Sequence, residues 1–247
     1  MAYTTVPKST DYFNTKLYTG NGSTNAITGV GFQPDFVWQK SRSNAEGHGL
    51  FDVLRGVTNR IQSNTLNAES SVAGSLTAFG SDGFTVGNDV GANGNGQTFA
   101  SWNWKANGQG SSNTEGSINT TYTSANTTSG FSIIQYTGNA TASATIGHGL
   151  GKIPTMIIFR RYAQAENWDV YHQAIGNAKS IRLNETGAAF DNATALTSTT
   201  PTSNLITLGT SVTTNANGTS MIAYCFADVQ GFSKMGSYIG TASASGP

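Results

Sequence analysis

The chain has 247 residues, 13 basic against 13 acidic side chains, and only 11% charged residues. A neutral chain without a basic stripe is excluded as a nucleic-acid binder, and 37% apolar with 10% aromatic residues is enough for a packed core and too much for disorder. The single cysteine, Cys225, excludes an intramolecular disulfide framework, and the longest apolar run, 221–227, is far short of the ~20 residues of a membrane helix.

Residues 1–14 are too polar to fold alone, lack the apolar stretch of a secretory signal, and read as an N-terminal arm. From there to residue 108, short β-branched or aromatic runs alternate with Gly, Asn and Ser, the pattern of strands separated by turns. Those runs fall at 16–19, 35–40, 50–54, 60–64, 76–80, 84–87 and 98–105. Residues 109–130 are short of aliphatics and rich in Gly, Ser and Thr, a linker composition in which only Ile118 and Tyr122 are suited to lie on a sheet. A second series of strand-like runs follows at 132–137, 155–161, 168–172, 180–184, 205–208 and 220–227. Helices are scarce: 67–73 and 168–174 have room for one or two turns, and neither sustains an apolar stripe of helical period. Residues 232–247 read either as a terminal strand or as the start of a third repeat, because Tyr238-Ile239-Gly240 takes up a Tyr-x-Gly used twice before.

The two series are copies of one module. Tyr18-Thr19-Gly20-Asn21 is answered by Tyr136-Thr137-Gly138-Asn139 at offset 118, and Gly31 to Trp38 by Gly151 to Ile158 at offset 120. Phe51-Asp52-Val53 aligns with Trp168-Asp169-Val170 at offset 117, Gly87 with Gly209, Asn93-Gly94 with Asn217-Gly218, and 99–104 with 221–226. Six or seven short strands in about 100 residues is the signature of an antiparallel sandwich. The expected fold is all-β: two tandem antiparallel β-sandwich modules of jelly-roll or lectin-like type, at 15–108 and 131–231. The expected core is Phe36, Trp38, Phe51, Phe84, Trp102 and Trp104 in the first module, and Ile157, Phe159, Trp168, Ile206, Tyr224 and Phe226 in the second. Trp102 and Trp104 fall at period two, on one face of a strand. Core filling is the first reading of that pair, and a platform for stacking a glycan is the second.

Residues able to do chemistry are few. Asp52 and Asp169, with Glu46 and Glu166 a few residues before them, are the carboxylates to test for glycosidase chemistry, which needs a pair about 5–9.5 Å apart. Their recurrence in both copies favours a structural role instead, bonded to backbone or to a base such as Arg55. His48, His148 and His172 show no metal spacing, and His148, set between glycines, reads as solvated or locally bonded. Cys225 reads as a small buried hydrophobe, and Arg160-Arg161 as the charge of a strand edge. The loop 82–96 lacks the ligand spacing of a calcium loop and the Lys-Ser/Thr of a phosphate loop, and reads as a cluster of turns. No catalytic residue, cofactor or metal is assigned.

The same strings carry a family resemblance. Lys8 to Gly22, Gly31-Phe32-Gln33-Pro34-Asp35-Phe36-Val37-Trp38, Ser81-Asp82-Gly83-Phe84-Thr85-Val86-Gly87, Ala100-Ser101-Trp102-Asn103-Trp104-Lys105-Ala106, Val170-Tyr171-His172 and 226–234 resemble a repeat family of virion-associated, tail-fibre-like proteins of marine tailed bacteriophages. The resemblance covers nearly the whole chain. It implies a position on the surface of a phage particle, synthesis in the host cytoplasm, and either a short member or a chain ending inside a third repeat; it brings no catalytic or ligand residues with it. The expected function is a virion structural protein, a tail fibre or tail-associated appendage contributing to host-surface attachment, and not an enzyme. Its expected partners are other virion proteins through the N-terminal arm, further copies of itself as a homotrimer, and host surface glycan, with no nucleic acid and no membrane. The alternatives are a carbohydrate-binding receptor module, a capsid decoration protein and, last, a polysaccharide depolymerase.

Overall fold

A computed structural model describes residues 3–242 and 245. The first half contains β1 (Phe13–Thr19), β2 (Asn25–Ile27), β3 (Phe36–Ser41), β4 (Gly49–Asp52), β5 (Asn59–Gln62), β6 (Ser70–Ser71), β7 (Leu76–Gly80), β8 (Gly83–Val86), the single turn α1 (Val90–Asn93) and β9 (Thr98–Trp104). The second contains β10 (Tyr122–Asn126), β11 (Phe131–Thr137), β12 (Ala144–Gly147), β13 (Met156–Arg161), β14 (Trp168–His172), β15 (Lys179–Arg182), β16 (Phe190–Asp191), α2 (Ala193–Leu196), β17 (Leu205–Leu208), α3 (Val212–Asn215) and β18 (Ser220–Phe226). The fold is all-β and the named strands pair antiparallel. A large sheet in each half has the same order, β1-β9-β3-β4-β5-β6 in the first and β11-β18-β13-β14-β15-β16 in the second, where β10 adds an edge to β11. The closing strand of each half therefore returns to lie beside the first. Two small sheets, β2-β8-β7 and β12-β17, complete the set.

Strand register shows which residues of the two halves correspond. Trp38 lies opposite Trp102 and Leu50, as Ile158 lies opposite Tyr224 and Val170. Leu50 also faces Ile61, as Val170 faces Ile181. Offset 120 thus runs on from β3 through β5, and the alignment of Asp52 with Asp169 at offset 117 is wrong. Asp52 corresponds to His172, and Asp169 to Gly49. Near the closing strands the offset is 122, so Asn93 corresponds to Asn215 rather than to Asn217. The recurring Tyr-x-Gly-Asn has a shared use: Tyr18 and Tyr136 donate hydroxyl hydrogen bonds to the carbonyls of Ala92 and Thr214. The backbone N–H groups of Asn21 and Asn139 donate to the side-chain oxygens of Asn93 and Asn215. A Cβ on Gly20 or Gly138 would stand 2.2 or 2.3 Å from the carbonyl oxygen of Gly94 or Ala216, so only glycine allows that approach.

The layers are small sheet, large sheet, large sheet, small sheet. Ile27, Val37, Phe51, Phe84 and Val86 fill the outer core of the first half, and Ile134, Tyr136, Ile146, Phe159 and Ile206 that of the second. Between the two large sheets lies a third core shared by both halves, with Phe36, Leu50 and Ile61 meeting Ile133, Trp168 and Tyr224. Both faces of the second large sheet are covered. Its strands are accordingly apolar at successive positions, as in Met221 to Phe226, all buried.

Several segments differ from their sequence reading. Residues 3–14 lie on the body: Val6 is buried, and Phe13 opens β1 with its ring 4.8 Å from Trp104. Met1 and Ala2 of the expected arm lie outside the described residues. Residues 109–130 are built into the fold, with Ile118 buried, β10 paired to β11, and the Ser, Thr and Asn side chains tying the loops together, as in Ser112 to the Thr120 carbonyl at 2.7 Å. Hydroxyl-rich sequence resembles a linker because it lacks apolar atoms, yet here it closes its own hydrogen bonds. Residues 67–73 form no helix and contain the two-residue strand β6, and 168–172 are strand with only a short 3-10 turn after it. Among the described residues no strand forms after β18; Tyr238 and Ile239 are exposed. No described helix is long and apolar enough to cross a membrane.

Candidate functional site

The seam-facing surface of the first large sheet is a grid set by register. One row reads Phe13, Trp104, Phe36; the next Thr15, Trp102, Trp38, Leu50; the third Leu17, Ala100, Lys40. The first row is closed by the second half, with Trp104 6.1 Å from both Phe131 and Phe226, and Phe36 stacked 4.4 Å from Tyr224. The third row is open, and Leu17 is 62% exposed. Trp102, on the middle row, is 37% exposed, which corrects its place in the expected core. The reason is tertiary: its strand runs on past the covering sheet, so two rings on one face of one strand have different surroundings. Trp38 and Trp104 are half-buried, while Phe36, Phe51, Phe84, Ile157, Phe159, Trp168, Ile206, Tyr224 and Phe226 are buried.

Trp38, Trp102 and Trp104, with Lys40 and His48, line an open cavity of about 330 Å³. Trp38 and His48 also border an adjoining pocket of about 240 Å³, whose other walls include Asn64 from the first half and Asn184, Glu185 and Thr186 from the second. The two make one cleft with an aromatic, basic end and an amide- and carboxylate-bearing end. Its walls are fixed locally. Asn64 accepts the His48 backbone N–H through its side chain at 2.9 Å, and Lys40 donates to the carbonyls of Glu46 and Asn44 at 3.0 and 3.4 Å. Burial, then the neighbouring Lys40 charge, hold the His48 imidazole below its ordinary pKa.

The second half carries the counterpart of this cleft, and there it is filled. Ile158, Arg160, Trp168, Tyr224 and Asn184 stand where the first half has Trp38, Lys40, His48, Trp102 and Asn64. Residues from the first half cover them: Arg160 donates to the carbonyls of Leu66 and Asn67, the Trp168 indole donates to the Gln62 carbonyl at 3.0 Å, and the Tyr224 hydroxyl donates to Asp52 at 2.7 Å. Arg160 also lies over the Trp168 ring, and burial lowers its pKa to about 10. It belongs to β13, an inner strand, so it is not the edge charge expected. Where the copy is closed, the two side chains on the middle row are Ile and Tyr; where it is open, both are Trp.

The other candidates are engaged elsewhere. Asp52 is buried, ion-paired to Arg55 at 2.6 Å, and accepts the backbone N–H groups of Leu54 and Arg55. Burial opposes the Arg55 charge, but Asp52, Tyr224 and Glu69 together hold its pKa above the ordinary value. Asp169 faces the outer core of its half, accepts from Thr213 and Asn192, and has its pKa raised by burial. The two carboxylates thus belong to different sheets and different cores. The Glu166 carboxylate accepts the neighbouring Asn167 N–H, and that of Glu46 lies by Gly91. His148 is fully buried, its Nδ1 accepting from the Leu150 N–H and its Nε2 facing the Thr202 carbonyl at 3.2 Å, so it is bonded locally and not solvated. His172 accepts the Ala174 N–H, and burial raises the Cys225 thiol to about 12. In the loop 82–96, Asp82 accepts from Gly29 and Gly31 and Asp89 pairs with Arg60. Among the described residues no group of three His, Cys, Asp or Glu is placed to hold a metal ion.

Sequence reasoning picked out Trp102 and Trp104 and missed Lys40 and His48 as their neighbours. The signal was available in the repeat, where offset 120, which already sets Trp38 against Ile158, also sets Lys40 against Arg160 and His48 against Trp168. No curated protein and no solved structure matches the chain. A family described as a domain of unknown function, DUF7483, matches residues 8–247, spanning both halves as the shared core does, and the chain belongs to that family.

Proposed function

We propose that this chain is a virion structural protein of a tailed bacteriophage, a tail-fibre-like appendage that contributes to host attachment by holding surface glycan in the tryptophan cleft. The observation that carries this reading is the contrast between the two halves: one cleft is filled by the chain itself, while its counterpart stays open and replaces Ile and Tyr by Trp. Exposed apolar patches mark contact sites. The C–H faces of a sugar ring suit the electron-rich face of an indole, and sugar hydroxyls suit the amides and carboxylate at the other end. The virion setting rests on the sequence resemblance. The reading assigns no catalytic step, in keeping with Asp52 and Asp169 being held in separate hydrogen-bond networks.

The test has two arms. Gold-labelled antibody on intact particles, viewed by cryo-electron microscopy, should mark the tail, and purified protein should bind host cells while Trp102→Ala does not. Label on the head lattice would make the protein a capsid decoration. Label absent from the particle, or cell binding unaffected by Trp102→Ala, would overturn the proposal.

A further inference from the structure

We infer that the glycan held in the cleft is acidic, with a carboxylate or sulfate group seated on Lys40. This rests on the glycan reading above and adds the class of sugar. Lys40 is one row outward from Trp38 and Trp102 on the same face and lines the same cavity. Its ammonium has three donors, of which carbonyl contacts to Asn44 and Glu46 occupy two, and it makes no ion pair among the described residues. Of the two acids nearest in sequence, buried Asp35 accepts the backbone N–H groups of Ala106 and Gly108, and Glu46 turns its carboxylate toward Gly91, which lies on the α1 side of the sheet, where Gln39 donates to the Gly91 carbonyl.

The filled counterpart shows what a cation at this position does: Arg160 grips oxygen atoms of the segment that covers it, the carbonyls of Leu66 and Asn67. Lys40 presents the same charge to an open cavity, so the occupant must bring the oxygens. An anionic oxygen makes the stronger bond to an ammonium. Among the described residues that line the cleft, the only carboxylate is that of Glu185, in the adjoining pocket at the other end, 4.0 Å from Arg182. The favoured ligand therefore has an acidic residue over the tryptophans and a neutral one beside Asn184 and Glu185.

The experiment is a microarray of bacterial capsular and lipopolysaccharide glycans in which each acidic member stands beside its carboxyl-reduced counterpart and each sulfated one beside its desulfated counterpart. It is probed with the full chain and with the variants Lys40→Gln and Trp102→Ala, each first checked for an unchanged melting temperature. Wild type should favour the acidic member of a pair by about tenfold, as for one charge-assisted hydrogen bond. Lys40→Gln should bind both members alike and weakly, and Trp102→Ala should bind neither. The carboxyl-reduced and desulfated arms tell a carboxylate from a sulfate. If wild type binds both members of every pair equally, or Lys40→Gln keeps the preference, the acidic assignment falls and the glycan reading stands. If no glycan is bound at all, both fall, and the cleft is a site for polypeptide, as its counterpart is.

Discussion

Trp102 and Trp104 share one face of β9, yet they have separate consequences. Trp104 touches Phe13, Phe36, Phe131 and Phe226, so Trp104→Ala opens a cavity in the shared core and should cost roughly 3–5 kcal/mol in denaturant unfolding. Trp102→Ala removes a ring more than a third exposed, and its stability should stay within about 1 kcal/mol of wild type while ligand binding is lost. Equal losses from the two would mean that Trp102 is core after all. Asp52 makes the contrasting residue-level case: Arg55 and the Tyr224 hydroxyl both depend on its carboxylate. Tyr224→Phe removes one buried hydrogen bond and should cost about 1–2 kcal/mol, whereas Asp52→Ala strands the Tyr224 hydroxyl, leaves buried Arg55 with Glu69 as its remaining ion-pair partner, and should cost about 3–5 kcal/mol. A value for Asp52→Ala below that for Tyr224→Phe would show that the ion pair contributes little.

His148 follows β12, and its burial ties that element to solution pH. Burial lowers its pKa below the ordinary 6.5, with the Thr202 carbonyl and Glu115 opposing more weakly. The unfolded chain takes up a proton as pH falls through about 6.5 while the folded chain does not, so stability declines as pH falls, by at most about 1.4 kcal/mol per pH unit. Asp35 and Asp169, raised by burial, act with the opposite sign, binding protons in the fold above their ordinary 3.8. Their effect is common to wild type and to His148→Gln. Denaturant melts of both between about pH 7.5 and 5.5 should therefore give a steeper fall for wild type, and parallel curves would show that the histidine titrates normally. Strand positions for the long apolar runs were legible in the sequence because alternation and β-branching mark them directly. The elements that escaped, β2, β6, β10, β12 and β16, have at most five residues each and include polar pairs such as Ser70–Ser71; too few side chains are present there to form a pattern.

The two halves share a core between their large sheets. Splitting the chain would expose Phe36, Leu50 and Ile61 on one side and Ile133, Trp168 and Tyr224 on the other, and would strand Arg160 and Trp168 without the carbonyls they donate to. Calorimetry of the full chain should show a single transition, and residues 1–108 expressed alone should fail to fold cooperatively. Two separated transitions would mean that each half is stable alone and that the shared core is a docking contact.

The sequence by itself determined the all-β class, the internal duplication and most of the long strands, because these depend on local propensity, period-two alternation and recurring Tyr-x-Gly-Asn turns. Only the tertiary structure decided that Asp52 and Asp169 do not correspond, since a three-residue error in offset moves a side chain to the opposite face of its sheet. It also decided which copy of the aromatic cleft stays open. Period two places Trp102 and Trp104 on one face with equal standing, and the difference between core and surface arises from where the second half stops covering the first.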